Sequence, residues 1–213
     1  MPSFTRDEVY QAAALAAGQP YFLEGQIGKA ILQRGVGEFF AKQASRAQEQ
    51  SPTHFDIFLS HSYEDQAIVA GIHKLLTDTG FIVYVDWIHD ADTLNRGSVT
   101  PETASHLRKR MNQCDSLFYV TAEHHIQSKW MPWECGYFDG YDSEAGSLAI
   151  YPGHVAILPV TDAPTSTYLG QEYLGIYPVA QKGNCSERNV NIHFPTIQNV
   201  AIHYDKWIKR GKP

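Results

Sequence analysis

Short apolar strands that alternate with amphipathic helices after residue 50 restrict the fold more than any other feature of the chain. The predicted strands are apolar almost throughout and lie at residues 55–60, 81–86, 116–121, 154–160 and 174–179. Strands of this kind are buried on both faces, which is typical of a parallel sheet with helices on each side. We therefore predict an α/β fold with a five-stranded parallel sheet and a last helix over residues 194–209.

The first 50 residues differ in composition from the rest of the chain. Residues 7–17 and 27–48 are rich in Ala, Gln and Glu and carry apolar residues at helical spacing, and residues 18–20 separate them. We predict a small N-terminal helical extension, a hairpin over residues 1–50, followed by the main domain over residues 51–213. The hairpin is a candidate oligomerisation or regulatory element, and passive packing against the main domain is the alternative.

Charge and hydropathy exclude several classes of partner. A net charge of −6 over 213 residues argues against a nucleic-acid surface, and the short basic run at residues 108–110 fits a solvated helix face. No apolar stretch approaches the roughly 18 residues that cross a bilayer, and residues 1–8 lack the character of a signal peptide. Three scattered cysteines fit a reducing compartment. We expect a cytoplasmic protein that binds neither nucleic acid nor membrane.

Polar and aromatic residues follow the ends of the predicted strands. In an open parallel sheet, ligands bind beyond the carboxyl ends of the strands. This rule places residues 60–63, Asp86, Trp87 and residues 128–134 along one edge of the sheet. The polar loop over residues 87–100 follows the same edge, and ordered loops of this length are usually functional or mobile. A solvated excursion without a role is the alternative for this loop.

The segment at residues 128–134 reads Ser-Lys-Trp-Met-Pro-Trp-Glu and predicts the start of a helix. Ser128 can cap the helix and Pro132 suits its first turn. Trp130 and Glu134 then lie about one turn apart on one face, and the helix dipole favours an ionised Glu134. Such a carboxylate beside indole rings suits a ligand with a flat ring and a developing positive charge. Alternatively, the indoles of Trp130 and Trp133 are core anchors.

Several common reactions lack their motifs. The turn after the first strand has no G-x-G-x-x-G, and the chain contains neither a P-loop nor a G-x-S-x-G elbow. Ser60, His61 and Asp65 are too close in sequence to hydrogen-bond in the order of a catalytic triad. His124 and His125 are adjacent and lack further ligands at metal-binding spacing, so we expect no metal site.

Three motifs together resemble the Toll/interleukin receptor (TIR) family. Residues 55–61, with Asp65, look like the first TIR box, and residues 85–86 with the loop bearing Gly97 resemble the second box and the BB loop. Residues 128–134 resemble the W-x-x-x-E segment of bacterial TIR domains. The resemblance covers about residues 54–209. This chain departs from the family by inserting residues 88–91, so loop contacts with substrate cannot be transferred.

The resemblance implies a flavodoxin-like strand order and cleavage of the nicotinamide–ribose bond of NAD+. It makes Glu134 the catalytic residue. The substrate-binding candidates are Ser60, His61, Asp86, Trp87, Trp130 and Trp133. Ser60 and Asp86 would contact ribose hydroxyls, and Trp130 would stack on nicotinamide or shape the cleft. In the alternative interpretation, Ser60 caps the next helix and Trp133 packs beneath the sheet edge.

An NAD+ glycohydrolase or ADP-ribosyl cyclase is the function that this resemblance favours. NAD+ would be the substrate and no cofactor would be needed. By analogy with stand-alone TIR proteins of anti-phage systems such as Thoeris, the product would signal to a separate effector, and self-association through the TIR domain or the N-terminal helices would complete the site. A non-catalytic TIR scaffold and a transferase that moves the ribosyl group to another nucleophile are the alternatives.

Overall fold

A mostly parallel sheet with helices on both faces is present in the computed structural model, which describes residues 3–20, 25–50, 52–92, 100–122, 124–143, 153–163, 172–184, 186–194 and 200–209. The strands are β1 (Phe4–Thr5), β2 (Phe55–Ser60), β3 (Val83–Tyr84), β4 (Cys114–Thr121), β5 (Val155–Thr161), β6 (Val179–Lys182), β7 (Val190–His193) and β8 (Ala201–His203). The helices are α1 (Arg6–Ala16), α2 (Gly25–Glu49), α3 (Gln66–Thr77), α4 (Asp86–His89), α5 (Pro101–Met111), α6 (Trp130–Ser143) and α7 (Tyr204–Ile208).

The order of the parallel strands agrees with the flavodoxin-like expectation. Strands β3, β2, β4, β5 and β6 are neighbours in that order and all pair in parallel. The number of strands differs from the prediction, because the described residues form a sheet of eight strands rather than five. Strands β7 and β8 extend it in antiparallel fashion, and β1 pairs in parallel with the end of β5.

Three predicted elements have the wrong bounds or type. The fifth strand begins at Val179 instead of residue 174, because Glu172–Ile176 is a 3₁₀ helix. The second strand shortens to β3, since α4 begins directly after it. The helix predicted over residues 194–209 is wrong, because Ala201–His203 pairs with β7 and, among the residues described in that range, α7 alone is helical. The spacing of apolar residues in this range fits a helix as well as a strand, and pairing with β7 makes Ala201–His203 a strand.

Helices α1 and α3 cover one face of the sheet, together with α2 and α7. Their apolar side chains pack on Ile57, Leu59, Phe118 and Leu158, which are buried. Gly71 of α3 allows the closest approach, since a Cβ there would lie 2.0 Å from the carbonyl oxygen of Val9. The N-terminal segment thus packs against the sheet through α1 and β1. The domain division at residue 50 stays a prediction.

Helices α5 and α6 cover the opposite face. Their buried residues Leu107, Met111 and Met131 join a cluster with Phe58 and Tyr119 of the central strands. Within the residues that the structure describes, no helix is long and apolar enough to cross a membrane.

A buried polar network ties the amino ends of the central strands together. The Tyr204 hydroxyl donates to the carbonyl oxygen of Asp56 at 2.6 Å and lies 2.9 Å from Ser116 Oγ. Arg188 bridges the carboxylates of Asp56 and Asp205 at 2.8 and 2.6 Å. Burial raises the pKa of Tyr204 well above its ordinary value, so its hydroxyl stays a donor. The polar groups of Tyr204, Asp56 and Arg188 at this edge of the sheet therefore already have partners within the protein.

Acid should destabilise the fold through His73 on α3. Burial, with a smaller contribution from His89, lowers the pKa of His73 from 6.5 to about 4. The unfolded chain therefore binds a proton that the folded chain excludes, so stability is full above pH 6.5 and falls as the pH drops toward 4. Its buried Nδ1 has no hydrogen-bond partner among the described residues.

We expect His73→Phe to reduce the loss of stability between pH 6.5 and 4, because phenylalanine keeps the ring packing and does not titrate. Urea unfolding of both proteins across this range checks the prediction. Leu15→Ala, which alters a 70% exposed side chain that does not titrate, is the control and should leave the pH dependence unchanged. Identical slopes for His73→Phe and the unaltered protein would contradict the expectation.

Candidate active site

A hydrogen bond between Ser60 and Glu134 connects the end of strand β2 to the first turns of helix α6. Ser60 Oγ donates to Glu134 Oε2 at 2.6 Å, and both residues have no exposed surface. A bond of this length to a carboxylate is charge-assisted, and burial strengthens it. The structure therefore places the predicted catalytic carboxylate against a predicted substrate-binding residue, although the two lie 74 positions apart.

The helix that carries Glu134 starts as the sequence predicts. Helix α6 begins at Trp130, and Pro132 lies in its first turn. Ser128 Oγ accepts a hydrogen bond from the Met131 N–H at 3.3 Å, which satisfies one of the unpaired donors of the helix start. This geometry orients Glu134 toward the carboxyl end of β2.

His61 and Asp86 form a second buried pair at the same edge. His61 Nε2 lies 3.2 Å from Asp86 Oδ1, and both side chains are at most 3% exposed. His61 Nδ1 bonds to the carbonyl oxygen of Leu59 at 2.7 Å, and because a carbonyl only accepts, this nitrogen carries a proton. The pair links the ends of β2 and β3.

Trp87 lies beside this pair, on helix α4. Its backbone N–H donates to Asp86 Oδ1 at 2.9 Å, and its indole contacts the ring of His61 with centroids 4.4 Å apart. Two further rings contact the indole, from Tyr63 at 5.6 Å and Phe40 at 5.2 Å. The sequence placed Tyr63 at this edge within residues 60–63, but it did not indicate Phe40, which belongs to the separate N-terminal helix α2.

The two tryptophans of helix α6 lie on the α5–α6 side of the sheet. Trp130 is 8% exposed and contacts Trp133 edge to face, with ring centroids 5.4 Å apart. Trp133 stacks on Tyr137, and the guanidinium of Arg108 covers both rings. These contacts fit the packing alternative for Trp133, and substrate binding by either indole stays a prediction.

Asp90 anchors the inserted segment that follows Asp86. Its carboxylate, 5% exposed, accepts hydrogen bonds from the Tyr84 hydroxyl at 2.6 Å and from two Arg110 nitrogens at 2.8 and 2.6 Å. Burial alone raises the pKa of Asp90, but the bonds from Arg110 and Tyr84 and the nearby His106 outweigh burial and hold the pKa below 3.8. The start of the long loop is therefore fixed.

The rest of the site gives few further candidates. Residues 93–99, including Gly97 of the predicted BB loop, lie outside the described residues. Asp65 bonds to the His124 ring at 2.7 Å and so joins the loops after β2 and β4. In the described part of the chain, no group of three or more histidine, cysteine or acidic side chains is arranged to hold a metal ion.

Removing the charge of Asp90 should destabilise the protein. We expect Asp90→Asn to lower the free energy of unfolding by about 2–3 kcal/mol at pH 7, because Arg110 loses its ionic partner in a buried setting. The difference should begin to narrow as the pH falls below 3.8, because the unfolded chain then binds a proton that Asp90 in the folded protein takes up only at lower pH. Urea unfolding measures both effects.

Glu38→Gln is the control for this prediction. Glu38 pairs with Arg34 on α2, and its side chain is 65% exposed. Exposed pairs contribute about 0.5 kcal/mol or less. An equal loss of stability in Asp90→Asn and Glu38→Gln would show that Asp90 is not an anchor.

Comparison with known proteins identifies the family. No protein-family model matches the chain. The chain is 36% identical over 216 aligned residues to "Probable 3' cyclic ADP-D-ribose synthase ThsB'" of Bacillus cereus (strain MSX-D12), and the alignment covers 99% of this chain and all of that protein. It is also 32% identical over 88 residues to "Putative cyclic ADP-D-ribose synthase TIR2" of Cytobacillus dafuensis, covering 41% of this chain and 23% of that protein. With an alignment that runs the length of both proteins and the Glu134 segment at the sheet edge, the chain belongs to the bacterial TIR-domain family that includes ThsB'.

Proposed function

We propose that this protein cleaves the nicotinamide–ribose bond of NAD+ and forms a cyclic ADP-ribose. The observation that carries the proposal is the buried Ser60–Glu134 hydrogen bond at the carboxyl edge of the sheet. Two relatives named as cyclic ADP-D-ribose synthases support it. The product would act as a signal to a separate effector in anti-phage defence.

The chemistry of the bond suits a fixed carboxylate. Nicotinamide leaves as a neutral ring, and the ribose develops positive charge at its anomeric carbon. The Glu134 carboxylate stabilises that charge more in the transition state than in the ground state. The hydrogen bond from Ser60 holds the carboxylate in one orientation, so little reorganisation is needed during the reaction.

The remaining predicted site residues would orient the substrate. Asp86 and Ser60 would accept hydrogen bonds from ribose hydroxyls, and His61 would hold Asp86 in place through their 3.2 Å contact. Trp87 and Trp130 offer flat apolar surfaces to the nicotinamide ring, and Trp133 would support Trp130 from behind. NAD+ enters as substrate, and the proposed chemistry needs no cofactor.

Proximity favours cyclisation over hydrolysis. Once nicotinamide leaves, either water or a nucleophilic group of the same ADP-ribose attacks the anomeric carbon beside Glu134, which is buried in the single molecule. An internal nucleophile, already held near the reactive carbon, has the advantage of proximity.

The same burial supports a role for self-association. A dinucleotide must reach Glu134, and the closed edge of a single molecule leaves no surface of that residue open. We propose that assembly through the TIR domain or the N-terminal helices opens or completes the site. Specific activity should then rise with protein concentration.

Glu134→Gln tests the proposed function. We expect the substitution to reduce nicotinamide release from NAD+ by about 100-fold or more, because the amide keeps the shape of the side chain and removes its charge. The assay runs over a range of protein concentrations, with mass spectrometry to separate cyclic ADP-ribose from linear ADP-ribose, which is one water heavier. Glu38→Gln, on the exposed face of α2, is the matched control.

The outcomes separate the alternatives. Undiminished turnover by Glu134→Gln would contradict the catalytic role. A protein that binds a second TIR domain but leaves NAD+ intact at every concentration would be a scaffold. Conjugates of ADP-ribose with an added nucleophile would indicate a transferase.

A further inference from the structure

Helix α2, although distant in sequence from the site, packs against the helix that carries Trp87. Phe40 of α2 is 6% exposed, and its ring meets the Trp87 indole at 71° with centroids 5.2 Å apart. Further along α2, Gln48 Nε2 donates to Asp92 Oδ2 at 2.5 Å. The N-terminal helix therefore contacts the segment after β3 at two points.

The Trp87 indole lies between α2 and the site pair. On one side it contacts Phe40, and on the other its centroid is 4.4 Å from the ring of His61. Its backbone N–H also donates to Asp86 Oδ1. A displacement of Trp87 would therefore disturb its contacts with both His61 and Asp86.

Helix α4 cannot hold this position by itself. It comprises Asp86–His89, a single turn of four residues, and isolated turns are unstable because nucleation fixes several dihedral angles for one hydrogen bond. Its placement depends on packing and on anchors beyond its ends. Asp90, the first residue after α4, is held by its hydrogen bonds from Arg110. The buried ring of Phe40 on α2 packs on Trp87 of α4.

We propose that Phe40 is a positioning residue for the active site. Its ring holds the Trp87 indole against His61, which keeps the His61–Asp86 pair in the orientation that receives the substrate. Helix α2 thereby supports the site from the side of Trp87 that faces away from His61. The inference rests on the proposed NAD+ cleavage and adds a residue that the TIR motifs do not contain.

A purely structural role for Phe40 makes a different prediction. Phe40 also belongs to the apolar cluster between the sheet and helices α1 to α3, so truncation costs stability in either case. A structural residue would affect activity only through the fraction of folded protein. A positioning residue changes the kinetics of the fully folded enzyme, and does so through Trp87.

A double-mutant cycle separates the two roles. Kinetics of NAD+ cleavage are measured for the unaltered protein, Phe40→Ala, Trp87→Ala and the double variant, at a temperature where each is fully folded by circular dichroism. We expect Phe40→Ala to lower kcat/KM by about 10- to 100-fold, mainly through a raised KM, because the ring of Phe40 supports residues that orient the substrate and leaves Glu134 in place. In the Trp87→Ala background, Phe40→Ala should cause no further loss.

Two further variants complete the test. Leu32→Ala removes an apolar side chain of the same helix, about two turns from Phe40, that packs against the same cluster, and should lower Tm with kcat/KM within about twofold of the unaltered value. Phe40→Leu keeps most of the apolar volume and should recover Tm more fully than kcat/KM, because leucine does not reproduce the ring contact with Trp87.

The results that overturn the inference are distinct from those that overturn the function. Independent, multiplicative losses from Phe40→Ala and Trp87→Ala in an active enzyme contradict the positioning role alone. An equal loss of kcat/KM in Leu32→Ala does the same. Absence of NAD+ cleavage by the unaltered protein at every concentration contradicts the proposed function, and the inference fails with it.

Discussion

The short hydrogen bond from Ser60 to Glu134 requires the correct strand register, helix start and core packing. Ser60 is the last residue of the central strand β2, and its pairing with Tyr119 of β4 fixes its height at the sheet edge. Glu134 reaches it because α6 starts at Trp130 and packs through Met131 and Cys135 on the sheet. A slip in strand register or helix start would separate the two groups. The order of the parallel strands, the start of α6 and the packing of its buried side chains together bring the two groups to 2.6 Å.

The two edges of the sheet carry different sets of polar groups. At the amino edge, Tyr204, Asp56 and Arg188 bond to one another and to the backbone. At the carboxyl edge, two buried polar pairs lie side by side, Ser60–Glu134 and His61–Asp86. Burial of polar and charged groups costs free energy, and clusters of buried polar groups at strand ends are typical of functional sites. The polarity of the parallel sheet decides which edge carries them.

Sequence patterns predicted the parts of this protein that depend on local or paired signals. Buried strands predicted the α/β class, the TIR-like motifs implied the strand order, and capping by Ser128 with Pro132 in the first turn predicted the start of α6. The short strands β7 and β8 escaped prediction, since three or four residues carry too little periodicity to separate strand from helix. The contacts of Phe40 and Asp90 escaped for another reason: each depends on a partner at least 20 positions away, and nothing in the local pattern marks that partner.

The central claim is that Glu134 lies at the reacting carbon of NAD+. A structure of the assembled protein with a non-cleavable NAD+ analogue tests it most directly. We expect the anomeric carbon of the nicotinamide ribose to lie about 3–4 Å from a Glu134 carboxylate oxygen, with the Ser60 hydrogen bond retained. An analogue bound with its nicotinamide ribose away from the carboxyl edge of β2, beyond the reach of Glu134, would contradict it.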